Sequence, residues 1–142
     1  MNGFHRLAAA VPVLRVGDPA YTVAQMLELY ARACDEGAAV VVFPELAVTG
    51  YSCGDMFEQR ALLAAAETAL ARFVAATTGR RTLAIAGTPL RVGSRLFNAA
   101  AVMGGGRLLG LPLKEHLPNY REFYQKRQVR PAHEYAARVA AV

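Results

Sequence analysis

Ala38-Ala39-Val40-Val41-Val42-Phe43-Pro44-Glu45-Leu46 decides how this chain is read. Six apolar residues in a row suit a strand buried on both faces. Pro44 stops the strand, and a carboxylate follows at once. Upstream, Asp18-Pro19 is a helix start, with Asp to cap free N–H groups and Pro at the first helical position. The helix runs to about Glu36 with Val23, Met26, Leu27, Tyr30 and Ala33 on one face, and Gly37 ends it. Before it, Arg6 to Val11 is another short apolar run. Strand, helix and strand so close in sequence make a βαβ unit with parallel strands.

Downstream, a loop carries Pro44, Gly50, Gly54 and Asp55. A second helix is expected from about Phe57 to Thr78, burying Leu62, Leu63, Leu70, Phe73 and Val74, with Gly79 after it. Thr82 to Gly87 reads as a third strand. Arg95 to Met103 and Arg107 to Leu113 flank Gly104-Gly105-Gly106 and read as a hairpin. That glycine run is no phosphate loop, because no helix follows it. Leu117 to Arg130 is aromatic and charged, and His133 to Val142 has the pattern of a weak helix.

The 142 residues, 54% of them hydrophobic, suffice for one core. A net charge of +5 comes from 14 Arg and 2 Lys scattered along the chain, which argues against a nucleic-acid footprint. Two cysteines, Cys34 and Cys53, do not make a disulfide scaffold, and no Cys/His spacing suits a metal. No apolar stretch is long enough to span a bilayer. The run Leu7 to Leu14 is broken by Pro12 and closed by Arg15, so a buried strand is preferred to a signal peptide. A reducing, cytoplasmic setting is expected.

Three segments carry chemistry. Glu45 leaves a strand end, where open α/β sheets bind ligands, beside an apolar wall expected to raise its pKa toward that of a general base. The alternative is a solvated loop glutamate. Lys114 ends the apolar Leu111-Pro112-Leu113 in a chain that otherwise uses Arg, and a compact ammonium beside a carboxylate can steady an oxyanion. The alternative is a lysine that blunts a sheet edge. Leu117 to Gln128 packs aromatics and both charge signs into twelve positions, as a pocket wall or as a helix with surface ion pairs and a buried Phe123. Cys53 is a candidate nucleophile, with a small apolar filler as the preferred reading. Cys34 sits near the C-terminal end of its helix, where the dipole disfavours a thiolate. The isolated histidines show no partner of the right type; His116, two residues past Lys114, either lines a site or, the preferred reading, is a loop histidine.

Phe43-Pro44-Glu45-Leu46 with Thr49-Gly50-Tyr51 resembles the glutamate segment of the nitrilase, or carbon–nitrogen hydrolase, superfamily. Leu113-Lys114 with Leu117-Pro118-Asn119-Tyr120-Arg121-Glu122-Phe123-Tyr124 resembles its lysine segment. Gly50-Tyr51-Ser52-Cys53-Gly54-Asp55 and Tyr120 to Tyr124 look closest to one branch, the glutamine-dependent NAD synthetases. The resemblance spans about Arg6 to Arg130. It implies an α/β fold, a nitrilase-type α-β-β-α sandwich truncated here to a partial glutaminase domain over 1–142. Its triad is Glu, Lys and Cys: Glu45 matches the general base, Lys114 the oxyanion lysine and Glu122 a second, positioning glutamate. Tyr120 and Tyr51 match residues that line the glutamine pocket. The intervening Leu113, with Pro112 one place early, departs from the usual Pro-Lys.

The larger departure is the nucleophile. The family places its cysteine well after the lysine, whereas both cysteines here precede Lys114. The resemblance therefore implies a front half without turnover of its own, whose parent hydrolyses glutamine and passes ammonia to deamido-NAD. ATP and Mg are expected only in a missing synthetase domain, with a homo-oligomeric parent. Rival readings are another amidase of the superfamily, a non-catalytic remnant that binds a partner subunit, and a flavodoxin-like module, which would need a phosphate loop.

Overall fold

The structure, a computed structural model, describes residues 3–120 and 123–135, with the backbone alone for Tyr120, Phe123 and Tyr124. β1 (Leu7–Ala9), β2 (Val40–Val42) and β3 (Leu83–Val92) are parallel neighbours, and β4 (Arg95–Gly104) and β5 (Arg107–Gly110) follow antiparallel, in the order β1-β2-β3-β4-β5. α1 (Pro19–Asp35) and α2 (Arg60–Ala76) connect the parallel strands and pack on each other. Asp18 caps α1 as expected, its carboxylate accepting from the Tyr21 amide at 3.0 Å.

Both helices cover one face of the sheet. The register Ala8–Val41–Ala84–Met103 runs across that face and joins Met26, Tyr30 and Phe73 in the main core. Phe73 meets Tyr30 and Phe43 edge-on, with centroids 5.4 and 5.7 Å apart. Such quadrupole contacts add about 0.5–1.5 kcal/mol each beyond area burial. Tyr30 Oη donates to the Thr82 carbonyl at 2.8 Å, and Thr82 Oγ1 donates to the Ala38 carbonyl at 2.8 Å, tying helix to sheet.

The alternate residues Leu7, Val40, Leu83 and then Ala9, Val42, Ile85 point to the other face, over which no described element packs. Leu7 is 71% and Val42 44% exposed there. This is one helical layer on one sheet, the mixed α/β architecture expected for part of a layered sandwich.

Several boundaries differ from the sequence reading. Residues read as loop after Gly50 form a 3-10 segment, Tyr51–Glu58, so α2 starts at Arg60 and not near Phe57. β3 does not stop at Gly87 but continues to Val92, making a hairpin with β4 across Gly93. β5 is shorter than expected, and its pairing with β4 shifts register between Val102 and Met103. The described residues between Leu117 and Arg130 form neither one helix nor one loop, and include β6 (Asn119–Tyr120), β7 (Phe123–Tyr124) and a short α3 (Gln125–Gln128). The expected last helix begins a turn at His133 to Tyr135, and the rest of it lies outside the described residues.

Candidate functional site

The site lies at the C-terminal ends of the parallel strands. β2 ends at Val42, and the chain turns sharply over Pro44 to Leu46. Leu46 adopts a left-handed conformation, φ 51°, and buries its side chain to 3% exposure in a second apolar cluster with Phe57, Leu63, Leu96 and Val129. A branched residue holds that conformation at a cost of about 1–3 kcal/mol, and the buried cluster offsets it. With Leu46 anchored inward, Glu45 is turned outward. The turn rests directly on Gly87 of β3: the Gly87 amide donates to the Pro44 carbonyl at 3.2 Å, and the Val48 amide to the Gly87 carbonyl at 3.1 Å. A Cβ on Gly87 would fall 2.2 Å from the Leu46 nitrogen, so only glycine permits the contact.

Lys114 reaches the site from the other side of the sheet. Pro112 to Lys114 lies along β4, with the Ala100 amide donating to the Pro112 carbonyl at 3.0 Å and the Lys114 amide to the Asn98 carbonyl at 2.8 Å. Lys114 Nζ then stands 2.7 Å from Glu45 Oε1. Residues 69 positions apart are thus brought together in a charged pair. Glu45 and Lys114 side chains are 38% and 31% exposed, so water screens part of their attraction.

Two further donors meet the same oxygen. Asn98 Nδ2 of β4 lies at 2.5 Å and Gln125 Nε2 of α3 at 2.6 Å. Burial acts to raise the Glu45 pKa, as the sequence reading expected. The Lys114 and Gln125 hydrogen bonds, the Lys114 charge and the Asn98 hydrogen bond together outweigh it, and the carboxyl is held below the usual glutamate value. The expected upward shift is therefore corrected: apolar walls are present, but the donors decide. Asn98 and Gln125 were missed from sequence. Asn98 alone carried a signal, a lone amide inside the apolar Leu96 to Ala101.

Glu45 and Lys114 line a groove of about 360 Å³ with Val42, Ile85, Gly87 and Pro112. Val42 and Ile85 belong to the uncovered face, so the groove opens onto it. Tyr51 lines a separate cavity of about 230 Å³ with Leu46, Phe57 and Gln125, not the groove itself. Gln125 Nε2 joins the two by donating to Tyr51 Oη at 3.0 Å as well. The Tyr120 backbone lies in β6, while its side chain and all of Glu122 fall outside the described residues.

Neither cysteine reaches the groove. Cys53 is buried under the 3-10 segment, its thiol donating to the Thr49 carbonyl at 3.2 Å, and burial pushes its pKa up. That suits the apolar filler expected of it. Cys34 lines a cavity with Gly37, Arg80 and Thr82 at the opposite end of the sheet. Among the described residues no group of three or more His, Cys, Asp or Glu is placed to hold a metal, and no helix is long and apolar enough to cross a membrane.

This geometry can be set beside known proteins. The chain is 44% identical over 131 residues to the glutamine-dependent NAD(+) synthetase of Mycobacterium tuberculosis, covering 92% of this chain and 19% of that protein. It superposes on the glutamine-dependent NAD+ synthetase of Acinetobacter baumannii with a TM-score of 0.81 and 28% identity, over 88% of this chain and 23% of that one. An amidase from a Nesterenkonia species shares the fold, with a TM-score of 0.75 at 21% identity over 92% of this chain and 49% of that one. The chain thus spans about a fifth of the length of the curated relatives it matches. The carbon-nitrogen hydrolase profile matches residues 6–137, and the chain belongs to that family.

Proposed function

We propose that this chain is the front part of a glutaminase domain in a glutamine-dependent NAD synthetase, and that it supplies the base and the oxyanion lysine to a thiol from outside these residues. The observation that carries the reading is the 2.7 Å pairing of Lys114 and Glu45 in a groove that opens on the uncovered sheet face and has no cysteine in its lining.

The chemistry follows from the two charges. Glu45, an anion at neutral pH, takes the proton from the incoming thiol, and the thiolate attacks the side-chain amide carbon of glutamine. The Lys114 ammonium stabilises the oxyanion that forms. The C–N bond breaks, and Glu45 returns its proton to the departing ammonia. Glu45 then deprotonates a water that attacks the thioester carbon; the C–S bond breaks, glutamate leaves, and the proton on Glu45 returns to the sulfur. Glu122 and Tyr120 enter this reading as a second carboxylate and a glutamine contact, and Tyr51 as a wall of the neighbouring cavity. The similarity to synthetases of which this chain covers 19% supports a further, ATP- and Mg-dependent domain that consumes the ammonia. A cytoplasmic, homo-oligomeric parent completes the proposal.

The test is complementation. The chain alone is expected to release no glutamate from glutamine. Mixed with the remainder of the glutaminase domain of the Mycobacterium tuberculosis relative, it should restore release, and Glu45→Gln or Lys114→Ala should abolish it. Release by the chain alone at a rate equal to that of its Glu45→Ala variant marks a contaminant. Release above that control overturns the need for an outside thiol. Assembly without activity would favour a remnant that only binds a partner.

A further inference from the structure

Three nitrogens converge on one oxygen of Glu45, and only one belongs to the lysine. Asn98 comes from the middle of β4 and Gln125 from the first turn of α3. Both side chains are buried, at 4% and 5% exposure. Burying a carboxamide is unfavourable unless its groups are bonded, so neither residue is simple core filler. For Gln125 the penalty is visible, because its Oε1 is buried without a hydrogen-bond partner among the described residues. Its NH2 group meanwhile serves Glu45 and Tyr51 together. The opposite amide orientation would set a carbonyl oxygen against the carboxylate, so the network fixes the orientation.

We propose that Asn98 and Gln125 form an amide clamp on Oε1 of Glu45 and so make Oε2 the oxygen that exchanges protons. The inference rests on the glutaminase reading for its catalytic meaning. Oε1 accepts from Lys114, Asn98 and Gln125, which engages its lone pairs. No hydrogen bond reaches Oε2 among the described residues. For the carboxylate to offer Oε1 to a thiol it would have to rotate and break all three contacts. The thiol S–H bond therefore breaks as an O–H bond forms at Oε2, and the same proton later leaves Oε2 for the amide nitrogen as the C–N bond breaks. Neutral donors suit this task. A carboxylate in place of either amide would repel Glu45, whereas a second ammonium would over-stabilise the anion and weaken the base. Both amides are positioning residues, since they touch Glu45 and not the reacting atoms.

The clamp is tested without catalysis by NMR on the chain. Glu45 is followed through its carboxyl 13C signal, assigned by its loss in Glu45→Gln. The side-chain amide protons of Asn98 and Gln125 should shift with the Glu45 titration in the unaltered chain. Amide signals indifferent to it would overturn the proposal with no variant needed. Gln125→Met and Asn98→Leu keep the shape and remove the donors, and each should raise the Glu45 midpoint. Gln125→Glu should raise it further. Midpoints unchanged in variants with an intact amide spectrum would also overturn the clamp. In the complemented assembly, Gln125→Met should lower kcat on the order of ten- to a hundred-fold with little change in KM. An unchanged kcat overturns the positioning role. If NMR shows the clamp and the complemented assembly shows no glutaminase activity at all, the function fails and takes the assigned proton path with it, while the NMR result stands.

Discussion

Gly87→Ala should damage the site without touching any charged group. The Gly87 φ lies outside the left-handed region, so alanine has no dihedral penalty there. Its Cβ, however, would lie 2.2 Å from the Leu46 nitrogen, 2.6 Å from the Pro44 oxygen and 2.7 Å from the Glu45 carbonyl carbon. All three are backbone, and none can rotate away. Restoring the 3.4 Å at which ordinary contact begins requires the turn to retreat by about 1.2 Å. That movement strains both backbone hydrogen bonds between Gly87 and the turn. Overpacking costs about 1–3 kcal/mol, and two weakened hydrogen bonds add about 0.5–1.5 kcal/mol each. The sum, roughly 2–6 kcal/mol, is a large part of the 5–15 kcal/mol typical of a domain. It also carries the Glu45 carboxylate away from its partners at 2.5–2.7 Å. Urea unfolding should show a lower midpoint with an unchanged slope. The Glu45 titration should move up toward the ordinary glutamate range. The control is Gly37→Ala, where φ is +72° and a Cβ meets nothing within 4 Å. It should cost about 1–2 kcal/mol through conformation alone and leave the Glu45 titration in place. Stability within 0.5 kcal/mol of the parent and an unmoved Glu45 in Gly87→Ala would refute the contact argument, because surface-like tolerance is about that size.

The acid side of the stability curve should depend on Glu45. Its folded pKa is depressed, so its contribution is present above the unfolded value of about 4.3 and is lost as pH falls through the folded one. Glu45→Gln should therefore flatten the fall in urea midpoint below about pH 5. At the alkaline side Tyr30 acts in the opposite sense. Burial first, then the Cys34 hydrogen bond, raises its phenol pKa far above the usual value. Its contribution is complete below about pH 10 and is lost as pH rises toward the folded pKa. Tyr30→Phe should remove that alkaline loss and, by leaving the Thr82 carbonyl without its donor, cost about 1–3 kcal/mol in urea unfolding at pH 7. Phe73→Ala removes a fully buried ring from between Tyr30 and Phe43 and should cost about 3–5 kcal/mol, read as a lowered Tm.

Much of the frame was legible because local and long-range preferences agree. Asp18-Pro19 caps α1, the α1 stripe is buried apart from a half-buried Leu27, and Val40-Val41-Val42 is a strand. Glu45 and Lys114 stood out because each ends an apolar run on a charge. Gly87 misled for a physical reason. Its glycine serves a close approach by the Pro44 to Leu46 backbone, which a sequence presents in the same letter as a chain stop. The 3-10 segment was hidden because it has no side-chain cap and bends at Ser52 and Gly54. The direction of the Glu45 shift was hidden because the deciding donors, Lys114 first and then Gln125 and Asn98, lie 53 to 80 residues away and their convergence on one oxygen is not written in the local sequence. Gln125 was obscured by the other polar residues of its segment. No periodicity marks a residue that matters for which oxygen it touches.

The bare side of the sheet sets the colloidal behaviour of the chain. Leu7, Val42 and Leu83 present a flat oily plane to water, and a net charge of +5 sits on the same small particle. At low ionic strength mutual repulsion between like-charged copies opposes contact through that plane. At 0.1 M salt the repulsion fades beyond about 10 Å, while the plane stays as sticky as before. Dilute, salt-poor solution is therefore the medium that keeps copies separate, and salting up drives them together.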